Sequence, residues 1–219
     1  MKRYYLVRHA QTAWNEDNRI QGHSDLPLSP IGEEQARRVG ALFASRQLKG
    51  VFTSRLLRSQ QTAQAIVSGN GHSVQPVVEH DLAEMHLGAW EGLTPDEVDA
   101  RFQGAYQQWK VRPSSISIPG AEALDAFRRR VRGALEKLIA TSQEGEYVVV
   151  SHGGVIAALL ADLFGADYDA VIRRLRLDNA GVTALEYGTG LPHVLWVNAT
   201  THLAHGTPAL PLPSRAGWF

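Results

Sequence analysis

The residues best suited to chemistry near the start of the chain are Arg8 and His9, which directly follow an apolar run at residues 4–7. This run of aromatic and branched residues predicts a β-strand, and α/β folds bind ligands just past the ends of buried strands. An imidazole nitrogen can attack phosphorus, and a neighbouring guanidinium can hold phosphate oxygens by paired hydrogen bonds. Because an isolated Arg-His pair is usually a surface charge beside a loop histidine, this interpretation requires support from elsewhere in the chain.

Three further junctions between a predicted strand and a loop carry groups that suit the same chemistry. Residues 50–54 predict a second strand, which runs into a basic turn and a helix. Residues 74–78 predict a weaker third strand, followed by an acidic loop at 81–92. Residues 147–150 form a continuous apolar and mostly β-branched run, which predicts a strand buried on both faces. Since parallel strands bring their carboxyl ends to one edge of a sheet, we expect a single cluster made of Arg8, His9, Arg58, Glu84 and His152.

The elements that must position this cluster alternate between strand and helix, which predicts an α/β fold with a mostly parallel central sheet and helices on both faces. Residues 182–187 and 194–198 predict a hairpin, and loops are expected at 14–27 and 111–120. Helical periodicity and capping residues predict helices at 29–43, 55–67, 94–109, 124–138 and 155–163, with another around Arg173, Arg174 and Arg176.

We expect residues 1–202 to form one domain, in which 93–120 is a small, cap-like helical insertion over the site. Residues 203–219 are rich in proline and small side chains, which predicts an irregular tail. Within the long helix, the arginines are expected to decorate a solvated face; they are Arg128, Arg129, Arg130 and Arg132. Four aromatic residues are expected either to line the substrate pocket or to pack in the core, namely Trp90, Phe102, Tyr106 and Trp109.

The composition excludes several classes of protein and site. The chain has 219 residues, zero net charge and no cysteine. Zero net charge provides no global field for nucleic acid or a membrane surface, so an anion site must be a local cluster of cations. The absence of cysteine excludes disulfides, thiol nucleophiles and thiolate metal sites, and it suits a reducing cytoplasm. With neither a signal-peptide pattern nor a membrane-length apolar run, we expect a cytoplasmic protein without nucleic-acid or membrane partners, of open oligomeric state.

The candidate residues lie in a series of short sequence blocks. The first is LVRHAQTAWN at 6–15, and the others are QG at 21–22, LSPIG at 28–32, TSRLLR at 53–58, LAE at 82–84, GAWEG at 88–92, PGAE at 119–122 and SHG at 151–153. In this order and at this spacing, over about residues 3–200, they resemble the histidine phosphatase superfamily, the phosphoglycerate mutase-like group. One departure is Ala10, where the family usually has glycine.

The resemblance implies an enzyme that needs neither metal nor cofactor. It implies that His9 attacks phosphorus and becomes a phosphohistidine, while Arg8, Arg58 and His152 hold the phosphoryl oxygens. Neighbouring cations disfavour protonation of His9, which leaves its lone pair available. Glu84 would protonate the leaving alcohol and then take a proton from the attacking water. Neutral hydrogen bonds to the phosphate would come from Asn15, Gln21, Gly22 and the amide of Gly153.

The resemblance leaves two reactions open, hydrolysis of phosphate esters and phosphate migration within phosphoglycerate. Dedicated mutases have a basic insertion with a Tyr-Gly segment after the acidic loop, whereas residues 94–120 lack that segment and contain only three cations, Arg101, Lys110 and Arg112. We therefore expect a phosphomonoesterase that acts on a small phosphorylated metabolite, with phosphoglycerate mutase as the alternative.

Other classes of protein fit the sequence less well. A non-catalytic module that binds a phosphorylated ligand would be marked by loss of His9 or Glu84, and both are present. A dehydrogenase would need a glycine-rich turn after the first strand, and residues 8–11 contain no glycine. A metal site built from His9, His86 and His152 lacks ligand spacing such as His-Glu-x-x-His, so we expect no metal.

Overall fold

The computed structural model describes residues 1–70 and 74–204, and its central feature is a six-stranded sheet with strand order β3-β2-β4-β1-β5-β6. The strands are β1 (Lys2–Arg8), β2 (Leu48–Thr53), β3 (Pro76–Val78), β4 (Gly145–Ser151), β5 (Val182–Tyr187) and β6 (His193–Ala199). The first four are mutually parallel, and β5 runs antiparallel to both β1 and β6. The sheet is therefore mixed, with the predicted parallel arrangement in the four strands that lead to the candidate residues and the predicted hairpin at β5 and β6.

The register of the parallel strands brings their carboxyl ends to one level. Arg8 at the end of β1 pairs with Ser151 at the end of β4, so His9 and His152 leave neighbouring strands side by side. On the other side of β4, Thr53 of β2 pairs with Val150, and Val78 of β3 pairs with Thr53. The four strand ends thus meet at one sheet edge, which confirms the predicted α/β arrangement.

Helices cover both faces of the sheet, as predicted. They are α1 (Ala13–Glu16), α2 (Pro30–Phe43), α3 (Leu57–Asn70), α4 (Pro95–Arg101), α5 (Ala105–Val111), α6 (Leu124–Thr141), α7 (Gly153–Leu163) and α8 (Tyr168–Ile172). In β1, Tyr4 and Leu6 pack against α6 and α7, whereas Tyr5 and Val7 pack against α2 and α3. Alternate side chains of one strand therefore fill two separate cores, because successive residues point to opposite faces.

Three sequence predictions of secondary structure were wrong in detail. Within the predicted loop at 14–27, α1 forms because Thr12 and Asn15 cap it reciprocally. The predicted helix at 94–109 is two helices, separated where Gln103 and Gly104 adopt the left-handed conformation, with φ of 53° and 78°. The predicted helix around Arg173, Arg174 and Arg176 is α8, which ends before all three, with Arg173 as its C-cap.

Residues of the segment at 93–120 pack in an apolar cluster that is separate from the cores on the two sheet faces. The buried residues of this cluster are Trp90, Val98 and Ile118. This cluster lies beside the sheet edge that carries His9 and His152, since its Trp90 and Ile118 line the same cavity as His9. At the other end of the chain, Thr201–Leu203 form a single 3₁₀ turn, and most of the predicted irregular tail, 205–219, lies outside the described residues. Among the helices that the structure describes, none has the length and apolarity to cross a membrane.

Two helical glycines make a matched test of packing between α2 and α3. A Cβ on Gly40 of α2 would lie 2.5 Å from the carbonyl oxygen of Ala65 in α3, whereas a Cβ on Gly133 of α6 would meet nothing within 4 Å. We expect Gly40→Ala to lower the free energy of unfolding by about 1–3 kcal/mol because the two backbones must separate. Gly133→Ala should raise it by about 0.5–1 kcal/mol, since alanine favours a helix interior. Urea unfolding measures both, and a neutral or stabilising Gly40→Ala would contradict the close approach.

Candidate active site

His9 is buried at the end of β1, with one ring nitrogen anchored and the other left for chemistry. Its Nδ1 lies 2.8 Å from the carbonyl oxygen of Ala10. A carbonyl can only accept a hydrogen bond, so this contact keeps the proton on Nδ1 and the lone pair on Nε2. Burial, followed by the charges of Arg58 and Arg8, holds the pKa of His9 well below its usual range. The ring is therefore neutral at neutral pH, as a nucleophile must be.

His152 lies beside His9, with ring centroids 5.2 Å apart. Its Nε2 contacts the hydroxyl groups of Ser54 at 2.7 Å and Ser59 at 3.3 Å. Its Nδ1 is buried without a partner among the described residues. Burial and then the nearby Arg58 hold the pKa of His152 well below its usual range. Ser54 Oγ accepts from the amide of Leu56 at 3.3 Å and has no acceptor besides Nε2 among the described residues. With that hydroxyl donating to Nε2, the proton of the ring is assigned to Nδ1, where it can be donated to a ligand.

Arg8 and Arg58 are fixed by backbone carbonyl groups. Arg8 donates from one terminal nitrogen to the oxygen of Leu177 at 2.5 Å, and Arg58 donates to Ser24 at 2.8 Å and Gly22 at 2.9 Å. Burial lowers the pKa of Arg58 to about 10, which still leaves it cationic at neutral pH. The carbonyl contacts hold both guanidinium groups in place without neutralising their charge.

Three buried donors of the site residues have no acceptor in the part of the chain that the structure describes. The Nε atoms of Arg8 and Arg58 and Nδ1 of His152 have no partner among the described residues. Buried polar atoms are nearly always hydrogen-bonded, because an unpaired one costs free energy. Since Arg8 and Arg58 line one cavity with His9, and His152 lies against the His9 ring, three orphaned donors on these residues indicate a site for an anionic acceptor with several oxygens.

Glu84 reaches the same place from the loop that follows β3. Its carboxylate accepts hydrogen bonds from the amides of Met85 at 2.9 Å and Gly154 at 3.0 Å. The second contact joins the acidic loop to the first turn of α7, the helix that follows His152. The structure thus brings together all five members of the predicted cluster.

The four predicted neutral ligands also line this cavity. The amides of Gly22 and Gly153 donate to no described residue, and Gln21 Oε1 is buried without a partner. Asn15 was expected to hydrogen-bond the phosphate, but its Oδ1 already accepts hydrogen bonds from the amide of Thr12 at 3.0 Å and from the side chain of Asn179 at 3.3 Å. Only the NH₂ group of Asn15 is left for a ligand.

Sequence reasoning missed a group of residues that position the site. Arg130, expected on a solvated face, instead donates to the carbonyl oxygens of Asp81, Ala83 and Glu84 at 2.7–2.8 Å and pairs with Glu122. It therefore holds the acidic loop against α6.

Asn179 is a second positioning residue, because its side chain donates to the carbonyl oxygen of His9 at 3.0 Å. The sequence gives no signal for the role of Arg130 or of Asn179. The contact of Arg130 with Glu84 joins residues 46 positions apart, and the contact of Asn179 with His9 joins residues 170 positions apart.

The cavity that begins at His9 has a volume of about 590 Å³ and extends under the segment at 93–120. Trp90, Tyr106 and Trp109 line it, as one reading of the sequence expected, whereas Phe102 packs beside Trp90 in the apolar cluster. His86 lies against His23 instead of the His9–His152 pair, so the metal site considered from sequence does not form. No other group of three metal-binding side chains occurs within residues 1–70 and 74–204.

Comparison with known proteins agrees with this geometry. The family description "histidine phosphatase superfamily (branch 1)" matches residues 4–200. The chain is 35% identical over 220 residues to the 2-carboxy-D-arabinitol-1-phosphatase of Triticum aestivum, covering 98% of this chain and 43% of the wheat protein. It is 34% identical over 196 residues to a protein named probable phosphoglycerate mutase GpmB of Yersinia enterocolitica, covering 85% and 86%. A solved mycobacterial glucosyl-3-phosphoglycerate phosphatase superimposes with a TM-score of 0.81 at 29% identity, covering 91% of this chain and 100% of that one.

The buried histidines predict acid sensitivity of the fold. Because the folded-state pKa values of His9 and His152 are depressed, the unfolded chain binds more protons below about pH 6.5. The free energy of unfolding should therefore fall as pH falls from 6.5 to 5, by up to about 1.4 kcal/mol per pH unit for each histidine. Urea unfolding at several pH values should show a shallower slope in His152→Gln, and an unchanged slope would contradict the assignment.

The contact between Glu84 and α7 can be tested at Gly154. A Cβ at this position would lie 2.4 Å from Glu84 Oε1, so alanine must displace the carboxylate. We expect Gly154→Ala to lower kcat by roughly 10–100-fold, because a small displacement of a catalytic group costs that much. The melting temperature should change little, since the flexible end of a side chain can move. Gly133→Ala in α6 is the control, and a wild-type kcat in Gly154→Ala would show that Glu84 has no fixed role.

Proposed function

We propose that this chain, which belongs to the histidine phosphatase superfamily, is a phosphomonoesterase that works through a phosphohistidine at His9. The chain is an enzyme of a family whose members include phosphatases and phosphoglycerate mutase-like proteins. One observation supports the proposal above others. The lone pair on Nε2 of a neutral, buried His9 lies among cationic donors that lack acceptors. This is the electrostatic environment that a transferring phosphoryl group requires.

In the first half of the proposed reaction, Nε2 of His9 attacks phosphorus as the bond to the leaving oxygen breaks. Arg8, Arg58 and His152 donate to the phosphoryl oxygens, where charge accumulates. Glu84 gives its proton to the leaving oxygen, so the product leaves as a neutral alcohol. The hydrogen bond from Nδ1 to Ala10 stabilises the positive ring that the new N–P bond creates.

In the second half, water attacks the phosphohistidine opposite the N–P bond. Glu84, now a carboxylate, accepts a proton from that water, and the electron pair of the N–P bond returns to Nε2 of His9. Inorganic phosphate leaves and Glu84 is protonated again. Asn15, Gln21, Gly22 and Gly153 add neutral hydrogen bonds at the same oxygens.

The proposal includes independence from metal ions, because two arginines supply the positive charge that a metal would otherwise provide. The substrate is a small phosphorylated molecule, as for the phosphatases that resemble this chain. The cytoplasmic location expected from sequence remains a prediction, and cell fractionation tests it.

Phosphoglycerate mutase is the second candidate, favoured by the similarity to the Yersinia protein. A mutase must retain a bisphosphate, so its cavity needs a second cluster of cations. Of the cations in the segment at 93–120, none lines the cavity, and the additional lining cation Arg19 is paired with Glu97 at 2.9 Å. The charge distribution therefore supports hydrolysis over phosphate migration.

We expect the wild-type enzyme to release phosphate from monoesters in the presence of a chelator and to carry a transient, acid-labile phosphoryl label. His9→Ala should lose both by at least about 1,000-fold, because no other nitrogen has this position. His80→Ala, which removes an exposed histidine, is the matched control. Conversion of 3-phosphoglycerate to 2-phosphoglycerate, primed with bisphosphate and faster than phosphate release, would establish the mutase instead. Turnover that survives in His9→Ala would exclude both.

A further inference from the structure

The cavity has two chemically different parts. Charged and strongly polar groups line the end at His9, while apolar side chains dominate the part that accommodates the leaving group. These apolar residues come from the acidic loop, from the segment at 93–120 and from α6 and α8; they are Met85, Leu87, Ile116, Ile118, Leu124 and Ile172. Together these residues form the apolar wall of the cavity. A substrate whose phosphate lies on His9 must place the rest of its structure against this wall.

The charged side chains that line this second part already have partners. Arg19 donates from one terminal nitrogen to Glu97 at 2.9 Å and to the carbonyl of Gly92 at 2.7 Å. Glu122 receives two hydrogen bonds from Arg130, at 2.7 Å and 2.8 Å. A carboxylate or second phosphate on the leaving group would therefore lose its water without gaining an unpaired cation in return.

Aromatic rings form one side of the same wall. Tyr106 and Trp109 stack on each other with centroids 5.6 Å apart, and Tyr106 lies 6.2 Å from Trp90 at an angle of 54°. Trp90 is buried, yet its indole Nε1 has no acceptor among the described residues. Ring walls of this kind favour flat or branched apolar groups, by stacking and by burial of apolar surface.

We propose that the preferred substrates are phosphate monoesters of uncharged, largely apolar alcohols, with a ring or branched chain seated on Tyr106 and Trp109. This rests on the proposed phosphatase function, whose substrate class it specifies. The preference is a property of the leaving-group part of the cavity. Esters that carry a carboxylate beside the phosphate are correspondingly poor substrates.

The test compares three primary alkyl monoesters, whose scissile bonds have similar intrinsic reactivity. They are 2-phenylethyl phosphate, glycerol 3-phosphate and 3-phosphoglycerate. We expect kcat/KM for 2-phenylethyl phosphate to exceed that for each of the others by at least about 30-fold, the gain from burying a ring. Equal turnover of the three, or a preference for 3-phosphoglycerate that is lost in Arg19→Gln, would overturn the proposal.

Two variants of the wall give opposite expected changes. Trp109→Ala should raise KM for 2-phenylethyl phosphate by roughly 10-fold and leave glycerol 3-phosphate unaffected, because only the ring contact is lost. Ile116→Lys places a cation on the wall and should improve kcat/KM for 3-phosphoglycerate relative to 2-phenylethyl phosphate. Gln108→Ala, an exposed position on α5 away from the cavity, is the control. Unchanged specificity in both wall variants would contradict the assignment. Because Ile116→Lys is expected to improve the relative kcat/KM for 3-phosphoglycerate, a partial loss of folding cannot imitate its result.

Failure of the inference can be separated from failure of the proposed function. Calorimetry with 3-phenylpropylphosphonate and 2-hydroxy-4-phosphonobutanoate measures binding of analogues in which CH₂ replaces the ester oxygen. If no ester is hydrolysed but the phenyl compound binds at least about 10-fold more tightly, the function fails and the apolar subsite stands. If esters are hydrolysed through His9 but the carboxylate compound binds as tightly, only the inference fails.

Discussion

The parallel pairing of β1 with β4 is the constraint on which the site depends. With Arg8 opposite Ser151, the chain emerges from two neighbouring strands at the same level, and His9 and His152 become adjacent although 143 positions separate them. A slip of one residue would send either side chain to the opposite face of the sheet. The fully buried strands prevent such a slip, because Tyr4 and Leu6 fill one core while Tyr5 and Val7 fill the other.

Burial is the reason that the site has its chemical character. It depresses the pKa of both histidines, and the neighbouring arginines act in the same direction. The same burial leaves Nε of Arg8 and of Arg58 without acceptors, at a cost to stability that an anionic ligand would offset. Backbone carbonyl groups hold the two guanidinium groups without competing for their charge. The site is thus arranged in advance for the phosphoryl group of the proposed reaction, which is the basis of electrostatic catalysis.

The acidic loop and the segment at 93–120 add what the sheet edge cannot supply. Arg130 ties the carbonyl groups of the loop to α6, and the amide of Gly154 orients the Glu84 carboxylate. The segment at 93–120 provides a wall whose apolar character is independent of the chemistry at His9. Since Trp109 and Ile116 of this segment lie on a different stretch of chain from His9, Arg58 and His152, substrate preference can change there without disturbing the phosphoryl site.

The sequence alone determined the family, the α/β class and the identity of the clustered residues, because strand-end motifs are local and parallel strands must bring them to one edge. It also determined the strands and longer helices, whose periodicity is visible over short windows. Only the tertiary structure decided the division of α4 from α5, the free nitrogen of His9, the role of Arg130 and the apolar leaving-group wall. The role of Arg130 and the composition of the wall depend on which distant groups meet, and no local pattern encodes a contact that spans 46 positions. The helix break is a backbone turn at Gln103 and Gly104, and the free nitrogen of His9 follows from the contact of its ring with the neighbouring Ala10 carbonyl. Both causes are local, but residue types alone do not specify the backbone and ring orientations that produce them.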